Sequence, residues 1–456
     1  MVAALTRIVH LPHTTSQHIP LKHRAGGDML AIGFGTTTAM WLVAYVCLMQ
    51  PGLILGETLF ALTLACLLAG GFTAGRFANR TWRGGAIIGA IAATINLLVL
   101  GSVLMDPDTH RPRPDAAWWV LGNYAVSIAL AAIGAAIGRR WHTKPQPAPA
   151  IEGGGNWHGR FAIVVCITIF LLLITGGLVT GLQAGMAVPD WPRSFGHNMF
   201  LFPLAQMKGG VFFEHAHRLY GTLVGLSSIT LAIVLWIIEG GRRTWLAALG
   251  SILLLMVIGQ GILGGTRVTE NSLVLATIHG VFAQIVFATA IAIAAFLSTT
   301  WLSDQPRIAR PSAGTERITT ALLVALLVIQ LILGAYYRHV QAYEHATDAM
   351  LTAGLHGHIT GAVLVTGLAI FCGIRAWGFS QGVPIIARLG KILLLVLGAQ
   401  VMLGIAALIA VLSTWNDEGD AIWEVVITTA HQATGALLLA VATLLMLWTR
   451  RLLAPA

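Results

Sequence analysis

Twelve stretches of about 20 apolar residues, the length that crosses about 30 Å of hydrocarbon, run along this chain. They fall near 29–50, 53–75, 85–105, 116–138, 161–182, 213–238, 245–266, 273–298, 318–338, 353–374, 391–413 and 422–448. Inside lipid every backbone polar group must be satisfied within its own segment or in a closed barrel, so segments of this length read as helices. The expected fold class is an all-α polytopic membrane protein. A soluble globule is excluded by 56% hydrophobic and only 10% charged residues among 456.

The formal net charge of +9 is not a nucleic-acid signal, because the basic residues sit in the connections between spans and sort by side. One face carries Arg76, Arg80, Arg83, Arg139, Arg140, Lys144, Arg242, Arg243, Arg307, Arg310, Arg317, Arg375, Arg388, Lys391, Arg450 and Arg451, whereas the other carries few, among them Arg193, Lys208, Arg267 and Arg338. The positive-inside rule then places both termini in the cytoplasm of an inner-membrane protein. Acids such as Asp417, Glu418 and Asp420 collect outside. The first 28 residues, with His10, His13, His18 and His23, read as a cytoplasmic tail and lack the apolar core of a signal peptide. Cys47, Cys66, Cys166 and Cys372 all lie within apolar runs and read as packing residues, with no disulfide or metal spacing.

A Pro- and Gly-rich stretch, TKPQPAPAIEGGGN, separates the fourth span from the fifth and reads as a linker. The expected units are a tail (1–28), an N-terminal four-helix region (29–142), this linker (143–156), a first four-helix bundle (157–300), a cytoplasmic linker (301–317) and a second bundle (318–456). The two bundles read as tandem repeats. Gln260, Gln330 and Gln400 each stand four residues before a glycine in odd-numbered helices, and each precedes an outer connection and then a helix bearing a histidine. In the first of these helices Gly176 and Gly177 occupy the comparable place without the glutamine.

The histidines are His217 in EHAHRLYG, His279 in TIHGVFAQ, His358 in GLHGHITGAV and His431 in TAHQATGALL. All four lie within about 15 Å of the outer surface at 1.5 Å rise per residue. A lone intramembrane histidine is as readily a hydrogen-bonded packing residue as a ligand. Four at one depth in a duplicated bundle point instead to haem iron, which takes axial imidazoles, held between facing helices. The pairs are His217 with His279 and His358 with His431. His215 and His356 compete, each about 200° around the helix from the proposed ligand. His217 is favoured because Glu214 shares its face; between His356 and His358 the repeat alignment favours His358. The halves differ in charge: Glu214 and Arg218 flank His217, and Leu355 and Ile359 stand in their places around His358. A carboxylate beside a haem edge can relay protons or stabilise developing positive charge, and Arg218 can pair with it or with a propionate. A carboxylate simply seated at a helix start is the structural alternative.

EHAHR at 214–218, the preceding GGLVTGLQAGMAVPDWP, the QGILGGTRV segment, His279 and the duplicated plan resemble the haem A synthase family over roughly 157–450. The resemblance implies an eight-helix membrane oxidoreductase that turns the C8 methyl of haem O into a formyl group by successive hydroxylations, for cytochrome oxidase assembly. It implies substrate haem O between His217 and His279 with Glu214 catalytic, haem b between His358 and His431, and haem O synthase and an electron donor as partners. The chain departs from the family pattern in having no cysteine between Gln183 and Phe212, no arginine in 176–180 and none after His358. Asp190, Trp191, Pro192 and Arg193 are positioned to cover the first pocket, or to anchor a loop at the interface, and Arg267 and Arg338 are candidate propionate partners. The competing functions are a two-haem electron-transfer cytochrome b and a repeat-built transporter. The first four helices carry no recognisable chemistry.

Overall fold

A computed structural model describes residues 26–49, 56–142, 156–303, 305–341, 345–380, 382–414 and 422–456. The tail to residue 25, linker residues 143–155 and the acids Asp417, Glu418 and Asp420 lie outside them. Twelve helices among the described residues are long and apolar enough to span a membrane. We number them α1 (Gly27–Leu48), α2 (Gly56–Ala78), α3 (Trp82–Leu104), α4 (Ala116–Arg140), α5 (Trp157–Gly181), α6 (Gly210–Glu239), α7 (Thr244–Thr269), α8 (Leu273–Leu297), α9 (Ala313–Gln341), α10 (Asp348–Phe379), α11 (Pro384–Thr414) and α12 (Ile422–Leu452). The protein is therefore a multi-pass membrane protein.

Helices α5 to α8 close into one four-helix bundle and α9 to α12 into another, each helix packing on its sequence neighbour and the last on the first. The bundles meet where α12 packs on α5 and α8 and where α9 packs on α8. At one seam the Gln432 side chain lies where a Cβ on Gly177 would be only 2.8 Å from its Oε1, and Gln432 Nε2 donates to the Leu173 carbonyl at 3.4 Å. At the other, His339 of α9 lies over Gly280 of α8. Small residues let helices approach where lipid supplies no hydrophobic drive between them. A short strand β4 (Leu453–Ala454) pairs in parallel with β3 (Ile308–Ala309) and pins the connection between the two bundles.

The N-terminal four helices pack by a tighter device. Glycines of α2, α3 and α4 face backbone carbonyls of the neighbouring helix: Gly71 and Gly85 meet Ala131 O, Gly75 meets Ala135 O and Gly89 meets Ser127 O. Its α1 stands apart from that device and lies along α5, where Thr38 and Thr168 hydroxyls are 3.0 Å apart. The largest buried cluster thus joins Phe34, Trp41 and Tyr45 of α1 to Phe161, Tyr220, Leu223 and Ile293 of the first bundle.

Candidate functional site

Each inward histidine has the same seat. A Cβ at Gly176, Gly264, Gly334 or Gly404 would fall 3.0, 2.9, 2.7 or 2.9 Å from Cε1 of His217, His279, His358 or His431 respectively. The glycine of each odd-numbered helix lets the imidazole of the next helix lie against its backbone. The glutamine four residues earlier then fixes the histidine helix. Gln260 Nε2 donates to the His279 carbonyl at 2.7 Å, Gln330 Nε2 meets both the carbonyl and Nδ1 of His358 at 2.9 Å, and Gln400 Nε2 lies 3.4 Å from His431 Nε2. On α5, where the glutamine position is Leu172, Thr175 takes over and its hydroxyl lies 3.0 Å from His217 Nδ1. Ser272 and Thr347 cap the starts of α8 and α10, setting the register that carries His279 and His358 to this depth.

In the second bundle the rings of His358 and His431 face each other with centres 6.3 Å apart and planes at 84°. A metal–imidazole bond is roughly 2.0–2.1 Å, so two such bonds plus about 1.1 Å from each nitrogen to its ring centre span nearly that separation. Nδ1 of His431 and of His279 are buried without a hydrogen-bond partner. In the first bundle His279 lies within electrostatic reach of His217. The facing imidazoles of the second bundle and the matching glycine-seated pair of the first are donor sets that would suit a haem iron.

The first pocket differs in what surrounds it. Glu214 is 3% exposed, accepts the Val188 N–H at 2.8 Å and pairs with Arg218 at 2.6 Å. Arg218 also donates to the carbonyls of Val188, Asp190 and Arg193. Its guanidinium is thus occupied by the loop and by Glu214, the second of the two partners weighed from sequence. Arg267 lies against Gly185 of the loop and acts electrostatically on Glu214, His217 and His279. Arg338 pairs with Glu424 at 3.4 Å.

The loop from 182 to 209 folds over this group. Strands β1 (Arg193–Ser194) and β2 (His197–Asn198) form a small hairpin whose central residues Phe195 and Gly196 both have positive φ, as a type I′ turn requires. The Asp190 carboxylate accepts their N–H groups at 2.7 Å each. Partial burial works against its charge, but these N–H donors hold its carboxyl below the usual carboxylate range. Trp191 packs its indole flat on Gly265, so the second glycine of QGILGG seats the loop as the first seats His279.

His215, the competitor of His217, is fully buried but turned away, with Nδ1 3.1 Å from the Ser194 hydroxyl. His356 is exposed and lines a groove of about 380 Å³ between α9 and α10 whose lining does not include His358 or His431. Sequence reasoning did not single out Thr175, Gln432 or His339. The first was findable as the polar residue next to Gly176 where the glutamine is missing.

Fold and site together define a multi-pass membrane protein of two joined four-helix bundles with paired intramembrane histidines. Within that class, residues 159–357 match the family described as cytochrome oxidase assembly protein, and the chain resembles the haem A synthase family there. Over 135 residues it is 31% identical to the haem A synthase of Rickettsia felis, a stretch that is 28% of this chain and 39% of the relative. With that of Rickettsia canadensis it shares 33% over 139 residues, 29% of this chain and 40% of the relative. The chain thus spans about two fifths of the length of these curated relatives. The family match includes Glu214, His217, Arg218 and His279, and stops one residue short of His358.

Proposed function

We propose that this protein is a haem A synthase, a haem-modifying oxidoreductase that oxidises the C8 methyl of haem O to a formyl group by successive hydroxylations for assembly of haem-copper cytochrome oxidase. It resides in the inner membrane with both termini cytoplasmic and the loop side outward, receives haem O from a haem O synthase and exchanges electrons with a separate donor. The single observation that supports this most is the buried Glu214–Arg218 pair beside His217, under a folded loop, in one of two otherwise repeated bundles.

In this reading His217 and His279 bind the substrate haem and orient it, and His358 and His431 bind haem b. Haem iron supplies the redox chemistry. The chain supplies the rest. Glu214 Oε1 and Oε2 are held by Arg218 and the Val188 N–H, so the carboxylate cannot swing away and is fixed to accept or hold a proton at the edge of the pocket. Arg267, within electrostatic reach of both imidazoles, would pair with the anionic edge of the macrocycle. The loop carrying Trp191 and the hairpin would lie over the bound macrocycle, with Glu214 itself only 3% exposed beneath it.

The test is to purify the protein from cells that also express haem O synthase, extract its haems and identify them by chromatography with mass detection. Haem A or its hydroxylated precursor beside haem b, lost when His217 is replaced by alanine, is the expected result. Haem b alone despite available haem O would mean a two-haem electron-transfer cytochrome and overturn the proposal.

A further inference from the structure

The first four helices have no part in the reading above, yet they touch Glu214's surroundings from two directions. From the bundle side, Tyr45 of α1 stacks on Phe212 with ring centres 5.4 Å apart and meets Phe213 edge-on at 6.4 Å. These are the two residues that precede Glu214 in α6. Trp41 and Tyr45 also both pack edge-on against Tyr220, two residues beyond Arg218. The helical turn that carries Glu214 and Arg218 is therefore braced by aromatic rings from outside its own bundle.

From above, the α3–α4 connection grips the far half of the covering loop. The imidazole of His110 lies parallel to that of His197 on strand β2, ring centres 4.2 Å apart and planes within 4°. Gln206 Nε2 donates to the Pro107 carbonyl at 2.7 Å. The Ser102 hydroxyl meets the Phe200 carbonyl at 3.4 Å, and Gly101 lies so close to that carbonyl that a side chain there would collide with it. The near half of the same loop is the half that binds Glu214 and Arg218 through Val188, Asp190 and Arg193. The loop is thus clamped along both edges, by the first bundle on one and by the N-terminal helices on the other.

We infer that the N-terminal four-helix module is a positioning frame for the first pocket, and that His110, His197 and Gln206 are positioning residues that act on Glu214 through the loop. Among the described residues the second bundle has no such frame, and its equivalent position carries Leu355 in place of a carboxylate. The inference rests on Glu214 being the working residue, but its structural content can be read without activity.

The experiment uses the full-length protein in lipid nanodiscs, with amide hydrogen exchange followed residue by residue. His110→Ala and Gln206→Met, separately and together, are expected to speed exchange at Val188 and across 195–207. Each lost contact should count for about fivefold, the factor for one hydrogen bond of about 1 kcal/mol, with α7 and α8 unchanged. His197→Phe keeps a flat ring over His110 and should retain slow exchange, and Leu121→Ala on the exposed face of α4 should have no effect. Conversion of haem O per bound haem should fall with Val188 protection while haem content holds. Unchanged exchange at Val188 in the double variant overturns the inference, and so does faster exchange spread equally over the first bundle, which would mean general loosening. If conversion proves indifferent to Glu214, the functional proposal fails, while Val188 exchange still decides whether the module sets the loop.

Discussion

The two pockets share a frame and differ in their cover. Both hold paired histidines, each lying on a glycine of the preceding helix, and in three of the four cases a glutamine ties down the histidine helix. The first pocket adds Glu214, Arg218, Arg267 and a loop that runs from 182 to 209. In the second, only 342–347 connects α9 to α10, and Leu355 and Ile359 stand where the charges would be. In the function proposed above, the repeat supplies the means of holding a planar cofactor, and the added charges and loop supply the means of acting on one. A glycine seat is a packing solution that either pocket can keep unchanged, whereas a buried carboxylate must be matched by donors, which Arg218 and the Val188 N–H of the covering loop supply to Glu214.

The largest effect expected from this contrast is at Glu214. Glu214→Gln should retain haem in both pockets and lower haem O conversion by about 10²–10⁴-fold, the range for losing a positioned acid or base. His358→Ala should instead deplete haem b and spare the first pocket. Conversion undiminished in Glu214→Gln, measured as haem A per bound haem, would break the division of labour drawn here.

An intermediate effect is expected from adding one carbon to a seat. Gly264→Ala and Gly334→Ala each force a Cβ to within 2.9 and 2.7 Å of an imidazole carbon, a clash worth about 1–3 kcal/mol. Each should weaken haem retention in its own pocket alone. Optical spectra of the purified variants check this, and loss of both haems from either variant would show that the seats are not independent.

The smallest effect concerns the cover. Asp190 is stabilised as the carboxylate in the folded loop, so its folded value lies below its unfolded one. Its contribution is therefore present at neutral pH and is lost as pH falls below the ordinary aspartate value of about 3.9 through the lower folded one. Asp190→Asn should remove that acid-dependent step. Protease cleavage of the loop between pH 5 and pH 3 in wild type and variant measures it, and identical profiles would discount the Asp190 turn as a fastening.

Much of this arrangement was legible in the sequence because lipid is a strict solvent. A span must be apolar for its whole length, so twelve runs gave twelve helices, and a histidine inside such a run stands out. The ends were less legible. The run near 353–374 lies within a helix extending over Asp348–Phe379, because polar residues beyond the hydrocarbon continue a helix without disturbing the hydropathy pattern. The choice between His356 and His358 was open for the same reason: both lie in the run, and only packing against Gly334 turns one of them inward. The docking of α1 was invisible, since Trp41 and Tyr45 read equally well as rings facing lipid. Nor did Arg218 announce that its donors go to three loop carbonyls, because carbonyls leave no mark in a sequence.

If the first pocket takes a haem, as proposed above, the packing of the first bundle bears on how that haem reaches it from the bilayer. Helix α5 is covered by α1 and α12, α8 by α9 and α12, and α6 is braced by α1. Helix α7 packs chiefly on its two bundle neighbours and turns Ile252, Leu255, Ile258 and Ile262 outward. Three walls thus share packing with the rest of the molecule, and α7 is the one that packs least on helices outside its bundle. A haem arriving sideways from the lipid disturbs the fewest contacts if α7 is the leaf that moves, carrying His279's glycine seat and the perch of Trp191 with it.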